Sequence, residues 1–322
     1  MTVICRRVSF PHKTALQILV AAIAAVCLTA SRAAVELSLT VSRLDAPGLT
    51  LAGVNARLVQ GAPATLQVNI REISLRGYSF RNVRVSCPEF SWTGDLVECR
   101  MGRASLGDEV SLSFKYSISR KSLELALRPT TGEKWHLRAE LGDRGRLLRL
   151  LIDNGAISRF SAWLPSDWPK LSAGLVDGEI AIEGEAQDRM RADLTVRDVA
   201  FSDSSGTHAA EKLGATLRLS AKLQGAAWNY RADFDWKSGE IYWQPLYLKA
   251  SGQHVSAAGS LTDTTVSVAQ SEARLGAVGA IRAHGTWDRQ RSQVVNAEVE
   301  SGELDVSSLY LDRKSTRLNS SH

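Results

Sequence analysis

The chain has 322 residues, of which 44% are hydrophobic and 23% charged, with a formal net charge of +5. That charge sits at the ends: residues 1–34 carry +4 and residues 312–322 carry +2, which leaves −1 for residues 35–311. A nearly neutral body removes any argument from charge to nucleic acid, and its 277 residues are long for one sandwich but suit an elongated sheet or two domains.

Arg6, Arg7 and Lys13 precede an apolar run at 15–30, followed by Ser31 and Ala33. This fits a secretory signal peptide cleaved before Ala34. It fits equally an N-terminal apolar helix kept as a membrane anchor, since 16 residues are only somewhat short of the roughly 20 that span a bilayer. Either reading exports the body. Cys27, preceded by Val26, does not make a lipoprotein site.

Residues 35–143 are expected to form a first β-sheet segment, with strands at 36–41, 49–60, 65–75, 81–86, 110–119, 122–128 and 134–141. The rhythm is clearest where Val110, Leu112, Phe114, Tyr116 and Ile118 alternate with Ser111, Ser113, Lys115, Ser117 and Ser119, then resumes at Leu123, Leu125 and Leu127. Alternate side chains of a strand point to opposite faces, so this pattern makes a sheet apolar on one side and wet on the other. Cys87 and Cys99 are the body's two cysteines, separated by Pro88, Trp92 and the turn residues Thr93, Gly94 and Asp95. In an oxidising compartment they read as a disulfide across a hairpin, worth about 2 to 3 kcal/mol. Two buried thiols are the competing reading, and zinc lacks further ligands nearby.

Residues 144–170 break the rhythm. Leu147, Leu148, Leu150, Leu151 and Ile152, then Ile157, Phe160, Trp163 and Leu164, recur at helical spacing before Pro165 and Pro169. The spacing predicts a short internal helical segment within about 144–164. Such a segment would either plug the end of the first sheet or rest amphipathically on a membrane.

Residues 171–311 are expected to form a second β-groove segment, with strands at 178–183, 191–199, 215–223, 227–236, 240–243, 246–251, 255–261, 265–269, 278–286, 294–300 and 304–309. Only 8 prolines interrupt the whole chain, so the pattern is an antiparallel meander and not a β-α-β alternation. The final eleven residues, 312–322, match the translation of a common short-read sequencing adapter and are expected to be non-native.

No constellation for catalysis stands out, and the chain is expected not to be an enzyme. His136, His208, His254 and His284 are isolated, and there is no nucleophile elbow, phosphate-binding loop or calcium loop. Asp233 and Asp235 share a strand face with Arg231 and Lys237, which reads as a solvated charge ladder. No cofactor or metal site is implied. The aromatics are more pointed: Trp228, Tyr230, Phe234 and Trp236 line one face with Ala232, as core packing or as a lining for acyl chains.

The leader, the long alternating body, the strand between Gly174 and Gly184, and the segment from Trp228 to Leu248 with Ser238, Gly239, Glu240, Tyr242, Trp243 and Pro245 together resemble the AsmA-like (TamB- and YdbH-type) family of Gram-negative envelope proteins. The resemblance implies a mainly β fold built as an elongated, curved antiparallel sheet, an open β-groove shaped like a taco. It further implies a periplasmic protein anchored in the inner membrane, an outer-membrane partner, and phospholipid passing between the two membranes along the groove. Acyl chains shielded on such a face gain roughly 0.8 kcal/mol per buried CH₂. The lining residues expected are Val110, Leu112, Phe114, Tyr116, Leu123, Leu125, Trp228, Tyr230, Phe234 and Trp236. The alternative is a structural or adhesive exported β-sandwich without lipid transport. The adapter reading is checked by genomic reads through the Leu311 codon: an open frame of different sequence is expected, and reads repeating the same eleven codons would reject it.

Overall fold

A computed structural model describes residues 2–5 and 36–305, apart from 47–48, 76–77, 107, 141, 143–144, 164–168, 186 and 204. The expected N-terminal helix and the segment 312–322 lie outside the described residues. The chain divides into two compact units, Met1–His136 and Leu137–His322. In each, antiparallel strands hydrogen-bonded to their sequence neighbours make a mainly β architecture.

Unit 1 contains β1 (Thr2–Cys5), β2 (Glu36–Ala46), β3 (Leu49–Val59), β4 (Ala64–Leu75), β5 (Tyr78–Thr93), β6 (Leu96–Leu106), β7 (Asp108–Ser117) and β8 (Ser122–Pro129), and the division falls inside β9 (Lys134–Glu140). From β2 to β8 each strand pairs antiparallel with the next, while β1 pairs parallel with β2. The register keeps the two faces distinct. Leu37, Leu58, Leu66 and Cys87 follow one another across four strands on one face. Arg57, Gln67, Ser86, Arg103, Ser111 and Arg128 do the same on the other.

Unit 2 contains β10 (Arg146–Ala156), β11 (Lys170–Gly184), β12 (Arg189–Ser202), β13 (His208–Gln224), β14 (Ala227–Trp243), β15 (Leu246–Lys249), β16 (His254–Leu261), β17 (Thr265–Arg274), β18 (Ala280–Asp288) and β19 (Gln293–Ser301). The long strand β14 pairs with β15 through its last residues and with β16 through its first, so the meander runs on around a short hairpin. An apolar row of Leu150, Ile180, Ala192, Leu219, Ala232 and Ala257 crosses six strands. One residue along, a polar row joins Glu179, Asp193, Arg218, Asp233, Ser256 and Glu272 on the opposite face.

Two departures from the sequence reading have physical reasons. Arg146–Ala156, expected to be helical, is strand β10, and only Ile157–Trp163 winds into 3₁₀ turns. Its leucine doublets satisfy a helical spacing, yet they also place Leu148, Leu150 and Ile152 at every second position, and the hydrogen-bonding edge of β11 selects that alternative. Asn154 and Gly155 form a bulge in which the Asn154 amide donates to Asp177 Oδ1 at 2.7 Å. Strand β6 goes unrecognised in the sequence because a register shift between Cys99 and Gly102 interrupts its alternation. At the far end, Leu304 and Asp305 are not in a strand, and the rest of that expected strand lies outside the described residues.

Close backbone approach marks two glycines on the apolar face of unit 2. A Cβ on Gly259 would sit 1.9 Å from the Ser267 carbonyl oxygen, and one on Gly178 (φ +140°) would sit 2.0 Å from that of Asp193. Gly259→Ala is therefore expected to destabilise the fold by about 1–3 kcal/mol through overpacking. Gly302→Ala, where a Cβ would meet open space, serves as control. Urea unfolding of both variants measures the difference, and equal midpoints would refute this account.

Candidate functional site

The curl of unit 1 shows in what its apolar face encloses. Leu37 and Leu39 of β2, Ala56 and Leu58 of β3, Leu66 of β4, Phe90 and Trp92 of β5, Val97 of β6 and Phe114 of β7 all line one cavity of about 130 Å³. Strands β2 and β7 are five steps apart, about 24 Å along a flat sheet. Side chains from both reach the same small space only if the sheet bends into a trough. Every side chain bordering the cavity is apolar. A space of this size is of the order that takes a benzene-sized group.

A disulfide sits at the base of this trough. Cys87 and Cys99 are bonded, with Cα atoms 5.9 Å apart, and both are fully buried. They pack with Phe90, Ala104 and Leu112, and Leu58, Leu66, Trp92, Val97 and Phe114 close around that cluster. The turn beyond it is tied down as well. The Ser117 hydroxyl donates to Asp95 Oδ2 at 2.7 Å, the Ser119 amide donates to Oδ1 at 2.5 Å, and the Ile118 amide donates to the Asp95 carbonyl. The Ser117 hydrogen bond, followed by those from Ser119, holds the Asp95 carboxyl below the usual carboxylate range.

The ten expected lining residues divide between the units. In unit 1, Phe114 borders the cavity, Tyr116, Leu123 and Leu125 are half-buried on the same face, and Val110 (4% exposed) and Leu112 (7%) are buried as core. In unit 2, Trp228, Tyr230, Phe234 and Trp236 share the apolar face of β14. Trp236 is buried and its indole N–H donates to the Ser238 carbonyl at 2.6 Å, while Phe234 is exposed. Burial raises the Tyr230 phenol above its ordinary pKa, and its hydroxyl donates to the Ser267 carbonyl. The cavity residues of β2 to β6 were not singled out from the sequence. The alternation in β2, with Leu37, Leu39 and Val41 facing one way, is the signal that could have found them.

His254, Asp235 and His284 lie on the polar face of unit 2, whereas His208 is in register with Trp243 and shares its face. His254 Nδ1 is 2.9 Å from Asp235, which also meets Thr216 and Lys237, and the His254 hydrogen bond lowers the Asp235 pKa. His208 meets Asp203 and Thr207 and packs against Trp243 at 4.1 Å between ring centroids, and His284 meets Glu298 at 3.1 Å. Among the described residues no group of three or more His, Cys, Asp or Glu could hold a metal ion, and no helix is long and apolar enough to cross a membrane.

The chain matches no family model, no curated protein and no solved structure. Replacing both cysteines by serine is expected to cost about 2–3 kcal/mol, from the entropy of the loop the bond closes. Thermal unfolding of the oxidised protein and of the Cys87→Ser/Cys99→Ser variant compares them, and identical midpoints would remove the disulfide from any part in holding the trough.

Proposed function

We propose that the protein shields acyl chains of phospholipid on its apolar sheet faces and helps lipid pass between the two membranes of a Gram-negative envelope. The observation that carries the reading is the cavity of unit 1, open to solvent, about 130 Å³ in volume and bordered by nine apolar side chains. It is supported by the apolar face of unit 2, where Phe234 is exposed, the row from Leu150 to Ala257 is half-buried apart from the buried Ala192, and no second sheet of that unit lies over it among the described residues. Exposed apolar groups on such a face mark an interaction site. In this reading the protein performs no chemistry: acyl methylenes replace water along the face, each contributing roughly 0.8 kcal/mol, while headgroups stay wet. The resemblance to AsmA-like proteins supplies the periplasmic setting, the N-terminal inner-membrane anchor and the outer-membrane partner as parts of the same proposal. A dry structural or adhesive sandwich would need a second sheet stacked about 10 Å above the apolar face.

The test is lipid extraction and mass spectrometry of the purified protein. Phe114→Asp places a charge at the cavity wall, and Ala56→Phe fills the cavity without one; both are expected to lose co-purifying phospholipid. Ser113→Asp, on the opposite face of the same strand, is expected to keep it. Equal lipid content in all three, or none in the unmodified protein, would overturn the proposal.

A further inference from the structure

The polar face of unit 2 is a lattice of charges, most of them matched. Arg149 pairs with Glu179 at 2.9 Å, Arg197 with Asp177 at 2.8 Å and Arg274 with Glu272 at 2.7 Å. Where the hairpin β13–β14 begins its turn, the matching fails. Arg189 on β12 stands directly opposite Lys222 on β13, and Ser220 on β13 stands between Arg191 on β12 and Arg231 on β14. Like charges on directly opposed positions destabilise a sheet. Glu183 is opposite Arg189 on β11 and 3.9 Å from Arg191. Lys222 and Arg231 have no ion pair among the described residues.

These four cations border a crevice of about 400 Å³ together with Ser220 and Asn229, and no carboxylate lines it. The adjoining crevice on the same face, about 350 Å³, shares Arg191, Ser220 and Arg231 with it and adds Arg149 and Arg218 beside Glu179, Glu183, Asp193 and Asp233. The carboxylates gather on that side, and the crevice that holds Arg189 and Lys222 has none of its own. We propose that this carboxylate-free crevice binds a phosphate-type anion. Guanidinium groups present paired N–H donors that match phosphate oxygens, and Lys222 adds a mobile point charge. Ser220 and Asn229 add neutral donors. A bound dianion converts the Arg189–Lys222 opposition from a repulsive contact into a shared one. The site lies on the face opposite the apolar row, so it stands independently of lipid shielding.

The experiment uses the full chain and two probes. Inorganic pyrophosphate, compared with chloride at matched ionic strength, is expected to raise the melting temperature, and Lys222→Gln/Arg231→Gln is expected to bind it about tenfold or more weakly, as loss of charge-assisted hydrogen bonds implies. Without anion that double variant should melt no lower than the unmodified protein, because a repulsion has been removed, which separates loss of the site from misfolding. Arg149→Gln, which borders only the carboxylate-bearing crevice, should keep its response. Sedimentation with vesicles of phosphatidylglycerol against phosphatidylcholine distinguishes the source. Binding to the first alone, competed by pyrophosphate, identifies a lipid headgroup, and a pyrophosphate response without vesicle binding identifies a soluble phosphate. No response to either probe, or equal responses in the unmodified protein and the double variant, would overturn the proposal.

Discussion

A single-layered sheet with one apolar face has to cover that face without a second layer, and most features of both units answer to this constraint. The ladders satisfy the backbone strand by strand, so the hydrogen bonds set no limit on length. The limit is apolar exposure, which costs roughly 25 cal/mol per Å² left in water. Curling reduces it. In unit 1 the curl brings β2 side chains to the same cavity as β7, and Leu37, Leu39 and Val41 become buried although they belong to an early strand of the meander. In unit 2 the backbone itself closes in on the apolar face: at Gly178 and Gly259 the neighbouring carbonyl occupies the space where a Cβ would sit.

The disulfide acts on the same problem from the other side. A bulge between Cys99 and Gly102 disturbs the pairing of β6 with β7, and bulges increase local twist and bend a strand. Left alone, such a site would be a weak point in the trough. The bond to Cys87 fixes it to β5, and Gly102 makes room, since a Cβ there would come within 2.8 Å of the Cys99 sulfur. Phe90, Trp92 and Val97 are held around the same cluster and form one wall of the cavity. The covalent link, the bulge and the apolar space are thus one local arrangement.

This explains which parts were legible in the sequence. The two-residue rhythm specifies faces, so the strand content, the shared face of Trp228, Tyr230, Phe234 and Trp236, and the charge ladder around Asp233 and Asp235 could be read directly. The spacing of Cys87 and Cys99 about a turn pointed to the bond that is present. Strand β10 was not legible because its leucine doublets suit two periodicities, and only pairing with β11 decides between them. The cavity was not legible because it depends on curvature summed over five strand steps, a non-local quantity. Val110 and Leu112 show the same limit: they share a face with Phe114, yet their cross-strand partners, Ala104 and Gly102 on β6 with Pro129 and Leu127 on β8, leave them buried.

The polar faces obey a weaker rule, and that weakness is informative. Exposed ion pairs contribute little individually, so evolution or chance could scatter charges there at small cost. A random scatter, however, places opposite and like charges side by side with similar frequency. Unit 2 shows instead a segregated pattern, with Glu179, Asp193 and Asp233 beside Arg218 on one cross-strand row, Arg149, Arg191 and Arg231 on the next, and Arg189 and Lys222 beside Glu183 on the one beyond. Repulsion among four cations is screened by salt but not abolished at strand spacing, well inside a Debye length of about 8 Å. An arrangement that raises the energy of the empty face lowers that energy when an anion enters, and it does so on the side of the sheet where apolar shielding makes no demand.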